Sequence, residues 1–583
     1  MYHFLTFVVA FSIFSSQVFG AATSRAADAG KADTVLIDGK IVTLDPGERI
    51  VEALAIRGGR VLQVGTNAEI ERLVGPRTEV VRLAGQMVLP GFIESHVHAI
   101  GVAQDAIHNT YAELTSIEEI QAWIRQRAKE VPAGQWIEVP RNEITRLRER
   151  RHPTPAELDA ACPTHPVLYT SALKHALNSV GFRAVGVVDE KSTIPGGEIV
   201  RDAAGWPVLV RGGAAHIRRF LPPGPRLSRD DTLAALAKLL RRYNEVGITG
   251  IFERATDRAA YELYRTLRDR GQLTTRVTTT FRFSARTAEE VEAYVKSLGL
   301  KPREGDEWVR AGPLKITLDG GIHWGTTRLS EAYGERRIQF YRLTDPHYRG
   351  EQYYSVDAMR TVFEAGNRLG WQLGCHVTGD DGTERVLDAI AAVAAQDPSI
   401  RERRFSIIHC YFPSSTILRR ARALGACADT QAYLYYKDAD AMAEIYGPAW
   451  ADRFIGLGDW VRAGVPVAVN SDHMIGLDPD HAMNSFNPLL MLGIAVSRKT
   501  LSGRVYGPHQ RLSRLDALRT VTTWAAYLGF DEGDRGSLEP GKLADLVVID
   551  RDYLECPEEQ IREIKVRRTI VGGKTVYQRE TRP

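Results

Sequence analysis

The sequence predicts an α/β chain built on a TIM-like (β/α)8 barrel, with a composite β-sandwich from both termini and a large insertion after the first barrel strand. Three observations support this fold class. Short apolar runs alternate with stretches of helical periodicity through the middle of the chain, which is typical of βαβ units. Strand-like text with hairpin turns occurs at both ends. One gap between successive apolar runs is far longer than the others.

The first element is a predicted signal peptide over residues 1–20. Phe4 to Phe14 form an apolar run of the length expected for the hydrophobic core of such a peptide, and Val18 and Gly20 suit cleavage before Ala21. We therefore expect an exported protein, periplasmic or secreted. A short uncleaved anchor is the alternative, because residues 1–3 contain no Lys or Arg.

The sandwich is predicted from residues 32–86 together with 531–583. Asp38-Gly39 and Gly58-Gly59 are hairpin turn signals between runs rich in branched residues. Similar text returns in Ala544 to Asp550 and from Val566 to Gln578. Because chain ends often lie close together, one small sandwich made from both ends is expected.

Eight apolar runs predict the barrel strands, over residues 87–98 and 247–530. Their first residues are Met87, Gly247, Thr275, Leu314, Trp371, Phe405, Gly425 and Pro466. Helical partners lie between them, and one predicted helix places its apolar side chains on a single face. These side chains are Val386, Leu387, Ile390, Val393 and Ala394.

The insertion is predicted over residues 99–246. Of the 385 residues from Val88 to Asp472, 148 lie between the first two runs, which leaves 237. That remainder is close to the roughly 250 residues of a typical barrel. The insertion contains helical text from Ile117 to Glu130 and follows the first strand, so we expect it to cover the face where the strands end.

Composition excludes several classes of protein. Hydrophobic residues make up 44% and charged residues 25% of the chain, as in an ordinary globular protein. A formal net charge of +3 without a long basic run argues against a nucleic-acid partner. Five cysteines in 583 residues are not a disulfide framework. No segment after residue 20 predicts a membrane span, and a homo-oligomer is compatible with the sequence.

The candidate chemistry lies at the predicted strand ends. His96 and His98 are two apart at the end of the first run, so both side chains point the same way and can bind one metal ion. Alone, this pair is a weak signal, and two packed or surface histidines are the alternative. His376, His409 and Asp472 end three other runs. The ends of barrel strands meet at one rim, so a shared metal site is predicted.

These motifs resemble the amidohydrolase superfamily, and within it the YtcJ-like branch that includes N-substituted formamide deformylases. The matching texts are LPGFIESHVH, LKITLDG, CHVTGD, SIIHC, AGVPVAVNSD and GSLEPGKLADLVVID. The resemblance covers nearly the whole chain from Ala32 and implies a metal-dependent hydrolase barrel.

The resemblance also implies roles for individual residues. His96, His98 and Asp472 would bind the more buried metal ion, and His376 and His409 a second. Lys315 stands where relatives carry a lysine modified by CO₂ to a carbamate that bridges two metals. A lysine that reaches solvent or an ion-pair partner is the alternative for Lys315. Zn is the expected metal, with Mn, Fe, Co and Ni as alternatives.

Some positions depart from the family pattern. Glu94 replaces the usual aspartate, and His473, Met474 and Ile475 follow Asp472. Loop positions of the pattern are occupied by His323 and Trp324.

Four residues are candidate substrate contacts. They are Trp324, His175, Asn178 and Asp380. Surface loop positions are the alternative for His175 and Asn178, and a helix N-cap is the alternative for Asp380.

The predicted reaction is hydrolysis of a carbon–nitrogen bond of the amide, N-formyl or N-acyl type, other than a peptide bond, in a small-molecule substrate. Asp472 would transfer the proton, and either the second metal or His323 would polarise the carbonyl. Trp324 and side chains of the insertion would form an apolar pocket. Two alternatives stay open. One is a mononuclear deaminase or cyclic-amide hydrolase, and the other is a non-catalytic exported metal-binding or regulatory homologue.

Overall fold

A computed structural model describes residues 30–171, 173–224 and 226–580. The predicted signal peptide, residues 1–20, lies outside the described residues. Within the described ranges, no helix combines the length and the apolar character that crossing a bilayer requires.

A sheet of eight parallel strands forms the barrel. We label its strands β1 (Phe92–Val97), β2 (Ile248–Thr256), β3 (Arg276–Arg282), β4 (Val309–Thr317), β5 (Leu373–Val377), β6 (Ser406–His409), β7 (Cys427–Thr430) and β8 (Val467–Val469). Each strand pairs with its neighbour in chain order. A single parallel bridge, from Val97 to His473, spans the remaining gap between β1 and β8. The predicted barrel is confirmed.

Helices cover the outside of the barrel, which is why the strands are buried on both faces. In the helix Asp380–Gln396, the predicted apolar face is buried as expected. The other helices that follow strands β2 to β8 are Arg258–Asp269, Ala288–Leu298, Gly334–Tyr341, Val356–Arg368, Ser415–Ala423, Ala432–Tyr446, Pro448–Arg453, Leu457–Arg462, Pro488–Ser497, Arg514–Thr520 and Thr523–Leu528.

Two further sheets are built from the ends of the chain, and the larger one combines strands from both ends. Four strands form the first, in the order Arg60–Gly65, Ala53–Arg57, Thr34–Ile37 and Glu79–Arg82. Six form the second, in the order Lys574–Gln578, Val566–Val571, Leu546–Ile549, Met87–Pro90, Lys40–Val42 and Ile50–Val51. Leu546–Ile549 pairs antiparallel with Met87–Pro90, so the sandwich is composite as predicted.

The run beginning at Met87 differs from the prediction of one barrel strand. It forms two strands: Met87–Pro90 belongs to the six-stranded sheet and only Phe92–Val97 to the barrel. Gly91 separates them and donates its backbone N–H to Asp545 O. A side chain at Gly91 would collide with Thr249, so the chain can pass from one sheet to the other here only with glycine.

The region predicted as an insertion has its own five-stranded sheet. The strand order is Gly197–Arg201, Pro207–Gly212, Lys174–Leu177, Val167–Ser171 and Ile137–Glu138. Its helices include Ile117–Arg127, Pro155–Ala161, Ser179–Ala184 and Ala214–Ile217. Two apolar clusters that are separate from the barrel core support them.

The two ends of that region belong with the barrel and not with the insertion. Helices Ala99–Asp105 and Arg229–Asn244 place their apolar side chains in the same core cluster as the barrel strands. The sequence prediction assigns both helices to the insertion because they lie between the first two strand-like runs. The spacing of those runs does not show which helices in the gap pack against the barrel.

Candidate metal centre

The centre begins at the end of β1. His96 is buried, with 1% of its side chain exposed, whereas His98 is 28% exposed. The side chains of residues two apart on a strand point to the same side, so both imidazoles face the C-terminal rim of the barrel. Their ring centroids are 5.3 Å apart.

Asp472 follows β8 and contacts both histidines. Its Oδ1 lies 3.4 Å from His96 Nε2 and 3.3 Å from His98 Nε2. The three residues offer ligand atoms that all lie within 4.8 Å of one another. Asp472 has a φ of +52°, a left-handed conformation that aspartate tolerates better than most residues and that turns its carboxylate toward β1.

His409 and His376 lie beside this trio. The ring of His409, at the end of β6, is 5.3 Å from that of His96 and 4.3 Å from that of His376 on β5. The five predicted ligands therefore occupy one continuous cluster. His96, His98 and Asp472 are the tightest group, with His376 and His409 on one flank.

Each flanking histidine uses one ring nitrogen to hold its position. His376 Nε2 lies 3.0 Å from the carbonyl oxygen of Gly320, and His409 Nδ1 lies 2.8 Å from Gln431 Oε1. A carbonyl oxygen only accepts hydrogen bonds, so these nitrogens carry the protons. The other nitrogen of each ring is left with a lone pair, as metal ligation by histidine requires.

The chemistry of these donors fits a divalent metal ion. Both ring nitrogens of His96 and Oδ1 of Asp472 are buried without a hydrogen-bond partner among the described residues. A buried polar atom left without a partner costs about 1–3 kcal/mol, which a bound cation would offset. Neutral imidazoles and a carboxylate are ligands that Zn accepts.

Electrostatics keep the ligands in the state that binds cations. Burial, reinforced by the charge of Lys315, lowers the pKa of His96 well below its ordinary value. Burial also lowers the pKa of His409, to about 4. For Asp472 burial opposes ionisation, but the contact with His98, together with the charges of His409 and Lys315, holds its pKa below the usual range. At neutral pH the rings of His96 and His409 are thus uncharged and the Asp472 carboxylate is ionised.

Lys315 lies on β4 below this cluster. It is 4% exposed, and its ammonium group has no hydrogen-bond or ion-pair partner among the residues that the structure describes. Burial is the main cause that lowers its pKa to about 7, and the charge of Arg254 adds to it. A salt-bridged lysine, the alternative from the sequence, is not observed.

His323 and Trp324 form a short 3₁₀ helix, Ile322–Trp324, in the loop after β4. His323 Nε2 lies 3.0 Å from Oδ2 of Asp438, a fully buried carboxylate. The ring of Trp324 lies 5.9 Å from the guanidinium of Arg141 in the insertion, and its carbonyl accepts a hydrogen bond from Lys174. The insertion therefore reaches the rim of the barrel at this loop.

Two predicted substrate contacts are corrected by the structure. Asn178 is fully buried and is the N-cap of helix Ser179–Ala184, and its amide group is used in four hydrogen bonds to backbone atoms. Asp380 accepts hydrogen bonds from the backbone N–H and hydroxyl of Ser330, so it anchors that loop. The amide group of Asn178 is therefore fully used, and the carboxylate of Asp380 is engaged by Ser330. Both are short polar residues at the start of a helix. From the sequence alone, a residue that caps a helix looks the same as one in a substrate-binding loop.

His175 stays a prediction. Its Nδ1 lies 3.0 Å from Thr170 Oγ1, and its Nε2 has no partner among the described residues. It lines a cavity of about 670 Å³ together with Tyr111, Arg141 and Ile475. Ile475 belongs to the segment after Asp472.

The departures from the family pattern have structural roles. Glu94 accepts hydrogen bonds from the backbone N–H groups of His96 and Ser471, which ties the end of β1 to that of β8. His473 places its Nε2 2.8 Å from Gly476 O and its Nδ1 2.9 Å from the hydroxyl of Tyr243. It therefore braces the turn that presents Asp472.

Sequence reasoning missed a buried polar network beneath the ligands. Arg254 on β2 and Asp429 on β7 form an ion pair of 2.5 Å with no side-chain exposure, and Asn470 and Gln431 connect it to His409. Arg254 and Asp429 are charged residues inside strands that are almost entirely buried, a signal that could have found them.

The fold and these residues define the class of the molecule: a (β/α)8 barrel protein that gathers, at the C-terminal rim, side chains able to bind a metal ion. The chain belongs to the Amidohydrolase family, whose model matches residues 79–577. The coarse activity that this membership supports is that of a hydrolase, and the superfamily generally uses divalent metal ions.

Relatives match almost the full chain. An N-substituted formamide deformylase of Arthrobacter pascens is 26% identical over 94% of this chain and 98% of its own length. The putative amidohydrolase YtcJ of Bacillus subtilis is 24% identical over 92% and 97%. A solved structure of an uncharacterized metal-dependent hydrolase from Pyrococcus horikoshii shares the fold. It has a TM-score of 0.65 and 20% identity, and covers 90% of this chain and 99% of that chain.

Proposed function

We propose that this protein hydrolyses a carbon–nitrogen bond of the amide, N-formyl or N-acyl type in a small molecule, at a centre of one or two divalent metal ions. The observation that carries the proposal is the cluster of His96, His98, His376, His409 and Asp472 on one rim, with orphaned donor atoms at His96 and Asp472. The relative named as a formamide deformylase, which matches nearly end to end, supports the type of bond.

His96, His98 and Asp472 would hold the first ion, and His376 and His409 the second. Bound there, a divalent ion supplies Lewis acidity and lowers the pKa of water from 15.7 to roughly 7. Asp472 is ionised and touches both β1 histidines, so it can accept a proton from the attacking water. The same carboxyl group then returns that proton to the leaving nitrogen.

Lys315 supports a two-metal form of the centre. A buried lysine that is not ion-paired and whose pKa is about 7 is partly neutral at physiological pH. Its amine nitrogen can bond to the carbon of CO₂ and release a proton, which gives an anionic carbamate. That group would replace an unfavourable buried cation with an oxygen ligand beside His376 and His409.

The loop after β4 and the insertion supply the substrate side of the site. His323, oriented by Asp438, can donate a hydrogen bond to the substrate carbonyl as charge develops on its oxygen. Trp324 lies against Arg141 of the insertion and would contact the N-substituent. Where the loop after β4 differs from the family pattern, at His323 and Trp324, the substrate preference would then differ while the metal ligands stay the same.

A mononuclear deaminase or cyclic-amide hydrolase is the second candidate. The geometry that favours it is that only His96, His98 and Asp472 form the tight three-ligand group among the described residues. In that form Lys315 stays a free amine, and the Lys315→Ala variant would retain both its single ion and its activity.

The test combines metal analysis with a substrate panel of N-formyl, N-acetyl and cyclic amides. We expect zinc-loaded protein to cleave the N-formyl or N-acyl compounds, and Asp472→Asn to lower kcat by roughly 10²–10⁴-fold because it removes the proton-transfer group. Asp388→Asn, the same change on an exposed helix position, is the matched control.

Each outcome decides a part of the proposal. Equal rates in Asp472→Asn and the unaltered protein would contradict the role of Asp472. No turnover of any amide by protein that holds metal would contradict the enzymatic proposal. Two ions per chain, falling to one in Lys315→Ala, support the two-metal form, and one ion in both supports the second candidate.

A further inference from the structure

A chain of four buried side chains, which we call the relay, ends on a metal-ligand candidate. His409 Nδ1 lies 2.8 Å from Gln431 Oε1, and Gln431 Nε2 lies 2.8 Å from Asn470 Oδ1. Asn470 Nδ2 lies 2.6 Å from Asp429 Oδ1. All four side chains are 2% exposed or less, so water does not take part in these contacts.

At the far end of the relay, Asp429 acts only as a hydrogen-bond acceptor. Asp429 accepts from Arg254 Nη2 at 2.5 Å on one oxygen and from the Ser95 hydroxyl at 2.6 Å on the other. Arg254 also donates to the backbone carbonyl of Ser95, which fixes its guanidinium against the carboxylate. Burial raises the pKa of the Asp429 carboxyl group, and the charge of Arg254 opposes that rise. The ionised carboxylate that the pairing with Arg254 favours can only accept hydrogen bonds.

The acceptor role of Asp429 fixes the orientation of each amide group along the relay. Because Asp429 only accepts, Asn470 must turn its NH₂ group toward Asp429 and its oxygen toward Gln431. Gln431 must then donate its NH₂ group to Asn470 and turn its oxygen toward His409. A glutamine oxygen only accepts, so the proton of the His409 ring is on Nδ1 and the lone pair is on Nε2.

We propose that Asp429, three hydrogen bonds away, selects the tautomer of His409 and so directs the Nε2 lone pair into the metal centre. Asp429, Asn470 and Gln431 are positioning residues, since none of them is placed to touch substrate or metal. The metal-binding consequence rests on the proposed function, whereas the tautomer itself does not.

The tautomer is measured in metal-free full-length protein at about pH 7.5, by ¹⁵N NMR of labelled histidines, with His409 assigned by its loss in His409→Asn. In the unaltered protein we expect a protonated Nδ1 and an unprotonated Nε2. Asp429→Asn supplies an NH₂ group that can donate to Asn470, so the relay can reverse. We expect a mixture of both tautomers there, and zinc affinity about 10–100-fold lower, as for other residues that orient metal ligands.

The rescue variant is Asp429→Asn with Gln431→Glu. It moves the carboxylate next to His409, where it accepts from Nδ1 and from the NH₂ group of Asn470. The oxygen of Asn470 then accepts from the amide introduced at position 429. We expect this variant to restore the single Nδ1–H tautomer. Ser95→Ala is the matched control, because it removes a donor to the same oxygen of Asp429 but lies outside the relay.

If Asp429→Asn folds poorly with Arg254 unpaired, Arg254→Met with Asp429→Asn removes both charges and tests the same point. An unchanged single tautomer in Asp429→Asn or in Arg254→Met with Asp429→Asn, or failure of the rescue variant to restore it in folded protein, would overturn the proposal. Absence of amide cleavage alongside the expected tautomers would instead contradict the proposed function and leave the relay intact.

Discussion

At the scale of single residues, the candidate centre contains strained backbone. His409, Cys410 and Asp472 have φ values of +84°, +39° and +52°. Left-handed conformations of residues other than glycine cost of order 1–3 kcal/mol each and persist where surrounding contacts force them. Here the contacts with neighbouring strands hold the backbone in these conformations. As a result, His409 and Asp472 turn inward at the ends of their strands.

Buried neutral histidines also make stability depend on pH. Burial lowers the pKa of His409 and of His473 to about 4, against an ordinary value of 6.5. Below pH 6.5 the unfolded chain binds protons at these rings and the folded protein does not. Their contribution is complete above pH 6.5 and is lost as pH falls toward 4.

We therefore expect His409→Asn to make the free energy of unfolding of metal-free protein less dependent on pH between 6.5 and 4. One imidazole accounts for about 1.4 kcal/mol per pH unit in that window. Burial raises the pKa of Asp319 and Glu253 to about 7, so these carboxyl groups make the folded state less stable as pH rises, opposite to the histidines. The variant is therefore compared with the unaltered protein at each pH. Urea unfolding at several pH values measures the slope. A slope equal to that of unaltered protein would contradict the prediction, and His347→Asn at an exposed position is the control.

At the scale of elements, the insertion docks on the barrel through a short 3₁₀ helix, Ile144–Arg146. Arg146 donates to both oxygens of Asp438 in the barrel helix Ala432–Tyr446, and also to Asn484 Oδ1. Asn484 in turn donates to the carbonyl oxygen of Asp472. The docking contact is thus continuous with the candidate centre.

We expect Arg146→Met to destabilise the protein by about 3–5 kcal/mol, because it leaves the fully buried Asp438 without its main partner. The double variant Arg146→Met with Asp438→Asn removes the uncompensated charge and should recover more than half of the loss. Urea unfolding measures both. A double variant no more stable than the single one would contradict this account. Arg127→Met, in an exposed pair with Glu130, should change stability by less than about 1 kcal/mol.

At the scale of the whole molecule, the barrel has one weak seam. Strands β1 and β8 are joined by a single bridge between Val97 and His473, whereas every other pair of neighbours shares a ladder of several residues. The tightest ligand group crosses this seam, with two histidines from β1 and Asp472 from the end of β8. A bound ion would therefore join the first and last strands of the barrel.

Removal of metal by a chelator should lower the melting temperature and speed hydrogen exchange in β1 and β8 more than elsewhere. An ion at about 100 times its Kd stabilises the folded state by about 2.7 kcal/mol. In His98→Asn the chelator should have little further effect, because the ion has lost a ligand on one side of the seam. An unchanged melting temperature on chelation of metal-loaded protein would contradict the prediction. His347→Asn, which leaves the seam untouched, should respond as the unaltered protein does.

The amino-acid sequence is enough to predict the order of strands and helices, the composite sandwich and a common rim for His96, His98, His376, His409 and Asp472. These features follow from local pattern, since periodicity of two or 3.6 residues reveals each element and topology places parallel strand ends together. The roles of Glu94 and His473 could not be predicted in this way, because both depend on the partners that packing gives them.

Only the tertiary structure shows which polar residues interact with each other. Arg254 meets Asp429 across 175 residues, and Arg146 meets Asp438 across 292. The folded molecule also shows that Asn178 and Asp380 hold backbone, and that Met87–Pro90 leaves the barrel. Periodicity reports which face of an element is buried, but packing sets the identity of a buried partner far along the chain, so that partner becomes visible only in three dimensions.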